Sequence, residues 1–201
     1  MKPRFILLFL IFSIFYSCKE EKIYVPKPRM YPKINFPIGH DYVWVDTLDC
    51  GFRFLKPSYA SIQKDSFIFE NKTPSECWFD IDLSQLNSKI YCSYYPINKE
   101  NSLTDLIDDS FEMAGKHNIK AEYRRESLIE IPDKKIYGLM FEISGPVASP
   151  IQFYVTDSTS HFLRASLYFE SKVNPDSTAP VLQFIRKDID KMIDKLEWKN
   201  K

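Results

Sequence analysis

Two switches of hydrophobic period constrain the fold of this chain more than any other feature of its sequence. From Tyr42 onward apolar side chains fall at every second position. Phe52-Arg53-Phe54 leads to Pro57 and Phe67-Ile68-Phe69 follows; Trp78 to Leu83 and Lys89 to Tyr95 then read as the arms of a hairpin across residues 84–88. The period then lengthens. Ser102 is placed to cap a helix with Asp105 three residues on, and Leu103, Leu106, Ile107, Phe111 and Ala114 share one helical face that ends near Gly115. Alternation returns in Lys120 to Ile131, Ile136 to Ser144, Ile151 to Thr156 and His161 to Glu170, the last two joined by the turn Asp157-Ser158-Thr159-Ser160. Asp176-Ser177-Thr178 is expected to cap a final helix, with Pro180 near its first turn and an apolar stripe of Val181, Phe184, Ile185, Ile189, Met192, Ile193 and Leu196. This order of elements implies an α+β fold in which a mostly antiparallel sheet is covered by two main helices.

The N-terminus carries an address. Lys2 and Arg4 precede an apolar stretch from Phe5 to Tyr16, and Phe15-Tyr16-Ser17-Cys18 reads as a relaxed lipoprotein cleavage box. About a dozen apolar residues fall short of the roughly twenty that cross a bilayer, and Lys19-Glu20-Glu21-Lys22 follows at once. Residues 1–17 are therefore expected to be a signal peptide, with the Cys18 thiol diacylated with palmitate-type chains and its new amine acylated. Two or three chains, at roughly 0.8 kcal/mol per buried methylene, hold a protein on a membrane where one does not. Residues 18–38 read as an acylated tether. Pro26, Pro28, Pro32 and Pro37 favour an extended, polyproline-like path, while Tyr31, Ile34 and Phe36 suit a segment lying on the domain or on a partner. Residues 39–201 are long enough for one domain with a sizeable core.

Charge and cysteine usage narrow the function. Removing residues 1–17 takes Lys2 and Arg4 from 27 basic side chains and nothing from 27 acidic ones, which leaves a net charge of −2 and no footprint for nucleic acid. Outside the reducing cytoplasm, Cys50, Cys77 and Cys92 permit one disulfide. Cys92 alternates with Ile90 and Tyr94 and should face the core as a free thiol; Cys50 and Cys77, at the edges of strand-like runs, form the expected pair. No close Cys or His spacing suggests a metal. Neither a Gly-rich phosphate loop, a Gly-x-Ser-x-Gly elbow nor a His-Glu-x-x-His helix occurs, so neither an enzyme nor a cofactor is expected. His117, after the acidic helix, is placed to act as a charged partner of its C-terminal dipole.

Along nearly the whole mature chain the sequence resembles the gliding motility lipoprotein GldD family of Bacteroidetes. The resemblance rests on Pro26-Lys27-Pro28-Arg29, Tyr59-Ala60, Cys77-Trp78, His117 with Lys120-Ala121, Val147-Ala148-Ser149 with Gln152-Phe153, Thr156-Asp157-Ser158-Thr159 and His161-Phe162-Leu163-Arg164. Leu167-Tyr168-Phe169 and Asn174-Pro175-Asp176-Ser177 extend it, while Met30 and Pro146 depart from the expected glycine and asparagine. It implies a noncatalytic accessory of gliding and of the type IX secretion machinery, held by its lipid in the cell envelope at the outer membrane, with protein partners and no cofactor. Element order suggests a PsbP-like α/β/α sandwich. Lys19-Glu20-Glu21 resembles a lipoprotein surface-export signal, and Asp46-Thr47-Leu48, Asp157-Ser158-Thr159 and Asp176-Ser177-Thr178 resemble O-glycosylation acceptors. The segment Val147–Arg164 carries the densest resemblance, so Gln152, Asp157 and Arg164, with Lys27 and Arg29 of the tether, are the expected interaction surface. An alternative function is a lipoprotein that binds a small ligand or cell-wall glycan on an aromatic platform including Trp44 and Trp78.

Overall fold

Alternation at every second residue gives each strand two chemically different faces, and helices of opposite position in the sequence cover the two faces of the resulting sheet. The structure is a computed structural model that describes residues 33–38, 41–46, 50–64, 77–170 and 174–199. Residues 34–201 form a compact unit of their own. In chain order the elements are β1 (Tyr42–Val45), β2 (Phe52–Pro57), β3 (Ser61–Lys64), β4 (Trp78–Leu83), β5 (Ser88–Pro96), α1 (Leu103–Gly115), β6 (Tyr123–Ile131), β7 (Ile136–Ser144), β8 (Ile151–Thr156), β9 (His161–Phe169), α2 (Pro175–Asp194) and β10 (Glu197–Trp198). Among the described residues, the main sheet has seven strands in the order β3-β4-β5-β9-β8-β7-β6, and β1-β2-β10 form a small second sheet. All pairings are antiparallel, so the fold is α+β.

The larger core lies on one face of the main sheet. Phe79, Ile81 and Leu83 of β4, Ile90, Cys92 and Tyr94 of β5, Leu163, Ala165 and Leu167 of β9, and Ile151, Phe153 and Val155 of β8 pack there against Ile185, Ile189 and Met192 of α2 and against Phe52 and Phe54 of β2. Phe54 stacks on Phe79 with ring centroids 5.6 Å apart, which seats the small sheet on the large one. Cys50 and Cys77 are bridged, with Cα atoms 5.6 Å apart, and Cys92 is free and buried. Ile34 packs against this core and Phe36 lies 4.9 Å from Phe184 of α2, so the end of the Pro-rich segment is part of the domain surface. On the opposite face α1 packs through Leu106 and Ala114 over Phe141, Tyr154 and Phe162.

Local chemistry sets the element ends. The Ser102 hydroxyl accepts from the Asp105 amide at 3.2 Å and donates to the Asp105 carboxylate at 2.6 Å, which starts α1. The start of α2 differs from expectation. Its cap is Asn174, whose side chain accepts from the Asp176 amide at 3.2 Å, and Pro175 fills the first helical position; Asp176, Ser177 and Thr178 lie inside the first turn. Proline there has a helix-ready φ and lacks an amide that would go unpaired, so the cap moves to the residue before it. At the β7–β8 connection Gly145 adopts φ 106°, and a Cβ at that position would meet the Lys120 carbonyl at 2.9 Å.

Candidate functional site

Helix α1 covers only part of its face of the sheet, and beside it the odd-numbered residues of β5 and the even-numbered residues of β9 line a polar, aromatic hollow. Tyr91 and Ser93 of β5, Arg164, Ser166 and Tyr168 of β9 and Met113 of α1 line an open hollow of about 380 Å³. Ser93 and Arg164 are direct cross-strand neighbours, as are Tyr91 and Ser166. The Tyr91 and Tyr168 rings meet edge to face at 5.4 Å, and the Tyr168 hydroxyl lies 3.4 Å from Nε2 of His117.

Arg164 dominates the electrostatics. Its Nη2 donates to Oε1 of Gln152 at 3.0 Å, its one side-chain hydrogen bond among the described residues. Burial pushes its pKa below the ordinary arginine value, against the attraction of Tyr168, Tyr95 and Asp109. Gln152 is 1% exposed, and its Nε2 has no hydrogen-bond partner among the described residues. Burial, assisted by the Arg164 charge, lowers the His117 pKa below its ordinary value, so the charged form on which a dipole contribution depends is disfavoured. Trp78 meets Tyr95 edge to face at 5.7 Å, and its Nε1 is buried without a partner among the described residues.

The expected interaction surface is redistributed by this geometry. Gln152 and Arg164 are not exposed at one end of the sheet: Gln152 is buried and Arg164 half-buried beneath the side of α1. The reason is the central position of β8 and β9, whose polar-looking alternate residues face a second helix instead of water. Asp157 lies in the β8–β9 turn, where its carboxylate is occupied by its own loop. Cys18, Lys19, Glu20, Glu21, Lys27 and Arg29 lie outside the described residues, as do Phe67-Ile68-Phe69 and Thr47-Leu48. Trp44 belongs to the small sheet with Arg53 stacked 4.8 Å over its ring, so it shares no platform with Trp78.

Among the described residues no group of three or more His, Cys, Asp or Glu is placed to hold a metal ion. The sequence model of the gliding motility lipoprotein GldD family matches residues 21–198. The chain belongs to that family. Membership makes it a gliding motility lipoprotein, associated with the cell envelope. No curated protein sequence matches it. Among solved structures it is similar to cyanobacterial PsbP (CyanoP) from Synechocystis sp. PCC 6803, with 14% identity, a TM-score of 0.48, and coverage of 82% of this chain and 96% of that one.

Several residues of this GldD-family fold escaped sequence reasoning. Tyr91, Ser93, Ser166 and Tyr168 occupy the polar half of alternating strands and look like ordinary solvent-facing positions. Asp188 is 3% exposed and accepts hydrogen bonds from the hydroxyls of Tyr42, at 2.8 Å, and Tyr59. A signal for it existed: Asp188 lies three residues after Ile185 and one before Ile189, on the buried stripe of α2.

Proposed function

We propose that this protein is a lipid-anchored, noncatalytic accessory of the gliding apparatus and the type IX secretion machinery, held at the outer membrane through Cys18 and acting by contact with protein partners. The supporting observation is the family match over residues 21–198. The noncatalytic part of the reading is supported by the composition of the hollow beneath α1. Its lining residues include two serines, Ser93 and Ser166, whose hydroxyls are paired with no histidine or carboxylate among the described residues, and the His117 imidazole meets a phenol, that of Tyr168, instead of a serine nucleophile. The separation of Trp44 from Trp78 disfavours a flat aromatic platform for glycan chains.

Deletion of the gene followed by complementation tests the reading. Deleted cells are expected neither to spread nor to release type IX cargo, and the wild-type gene is expected to restore both. Normal cargo release by non-spreading deleted cells would remove the secretion role and leave the gliding role. Co-purification from native membranes is expected to recover envelope proteins of the gliding machinery.

A further inference from the structure

The hollow beside α1 brings together more hydrogen-bond donors than its own protein acceptors use. Arg164 presents a planar fork of five N–H groups, of which Nη2 reaches Gln152, and no carboxylate among the described residues forms an ion pair with it. Ser93 stands directly across from Arg164 in the β5–β9 ladder, and Tyr91 across from Ser166. Tyr91, Ser93, Ser166 and Tyr168 line the same hollow as Arg164, and the rings of Tyr91 and Tyr168 with the Met113 side chain add apolar surface to it. A half-buried guanidinium whose one side-chain hydrogen bond among the described residues goes to a neutral amide favours a ligand that brings a counter-charge. Gln152 holds one arm of the fork through Oε1, and its buried Nε2 amide has no partner among the described residues. Planar, two-pronged donation is the geometry that matches a carboxylate.

We propose that this hollow is a binding site for a carboxylate carried on a body the size of one amino acid or one sugar residue, with Arg164 holding the carboxylate, Ser93 and Ser166 completing its hydrogen bonds, and Tyr91 and Tyr168 packing on the body. A volume of about 380 Å³ accommodates a single residue of that size. The site is independent of the gliding role and stands or falls on binding alone.

Titration calorimetry on the full chain in detergent micelles tests the proposal, with glucuronate and N-acetylphenylalanine as probes and glucose and N-acetylphenylalanine amide as their neutral counterparts. One or both acids are expected to bind saturably, and each neutral counterpart about tenfold more weakly or worse. Binding by glucuronate alone identifies a sugar acid as the ligand, and by N-acetylphenylalanine alone a peptide carboxylate. No saturable heat from either acid up to about 10 mM, or equal binding of acid and neutral forms, overturns the proposal. Arg164→Gln is expected to abolish acid binding. Because that variant also disturbs Gln152, Ser93→Asp provides a second check: it places a carboxylate across the ladder from Arg164, and is expected to raise the thermal midpoint and to exclude both probes. Undiminished probe binding by Ser93→Asp overturns the proposal, as does a folded Arg164→Gln variant that binds as the wild type.

Discussion

Asp157 closes the β8–β9 turn with a single carboxylate oxygen, which accepts from the amides of Thr159 at 3.0 Å, Ser160 at 2.8 Å and His161 at 2.8 Å. Its second oxygen accepts from the Thr159 hydroxyl at 2.9 Å, and Ser158 is thereby held at φ 66°. Partial burial acts to raise the Asp157 pKa, but the amides of Ser160, Thr159 and His161 outweigh it and hold the carboxyl below its ordinary value. A folded-state pKa below the unfolded one stabilises the protein above the ordinary aspartate range, and that contribution is lost as pH falls through the lowered folded value. Asp157→Ala is therefore expected to lower the thermal midpoint by roughly 2–4 °C at neutral pH, for a loss of about 1 kcal/mol, and to shrink the difference from wild type in acid below that range. Thermal melts at several pH values measure this directly; a difference that grows on acidification would contradict it. Arg164 behaves differently from a surface charge. Its reversal to glutamate would set a carboxylate against buried Gln152 and towards Asp109, and is expected to cost roughly 2–3 kcal/mol in a denaturant titration. Lost gliding in that variant would report lost stability first, so Arg29 of the tether is the better position for a charge-reversal test of partner contact.

The elements show which sequence signals carry far and which do not. The bounds of β4, β7 and β8 coincide with the alternating runs in the sequence, although every residue of β8 is buried, because its second face is covered as well as its first. β10 has two residues, too few to show any period, yet it completes the small sheet against Phe52 and Arg53. Trp198 there stacks on His161 at 5.1 Å with planes 5° apart, meets Phe52 edge to face at 6.1 Å, and donates its indole N–H to the Lys135 carbonyl at 3.0 Å. Glu197 adds an ion pair with Arg53, also exposed, whose Nε donates at 2.7 Å. Only the fold brings residues 53, 135, 161 and 198 together, so no local pattern could announce the contact. Trp198→Ala is expected to destabilise the domain by about 2–3 kcal/mol and to lower the thermal midpoint by roughly 5–10 °C; a midpoint unchanged in calorimetry would show that β10 is dispensable. The Cys50–Cys77 bridge was legible only by elimination among three cysteines, since pairing depends on distance in the fold. It closes a segment with a sequence separation of 27 between the start of β2 and the start of β4. In the chain-entropy account such a loop contributes roughly 3–4 kcal/mol, so Cys50→Ala/Cys77→Ala is expected to melt about 10 °C lower. Cys92 is 3% exposed and burial pushes its thiol pKa up, so a thiol reagent should find it unreactive until the domain unfolds.

At the scale of the whole molecule, a compact unit spanning residues 34–201 follows an N-terminal segment to which the proposal above assigns membrane attachment. Among the described residues no helix is long and apolar enough to cross a bilayer, and a net charge of −2 after removal of residues 1–17 offers little adhesion to anionic lipid. Within the reading proposed above, attachment therefore depends on the acyl chains at Cys18. A single chain gives marginal, reversible binding, whereas two or three, at roughly 0.8 kcal/mol per methylene, give stable anchoring. The Pro-rich stretch after Cys18 then sets the working distance: if extended, it reaches about 3 Å per residue, and Ile34 and Phe36 end it by docking on the core and on Phe184. Substitution Cys18→Ala separates anchoring from folding, because it lies far in sequence from every residue of the described core. Cells fed an alkyne fatty acid are expected to label the wild-type protein and not Cys18→Ala. The variant should leave the membrane fraction for the soluble one, retain the wild-type thermal midpoint of its folded unit, and fail to restore spreading to deleted cells. Wild-type levels of label on Cys18→Ala would refute lipidation at this residue. Full spreading by an unlabelled, soluble variant would instead show that the partner, and not the lipid, holds the domain in place.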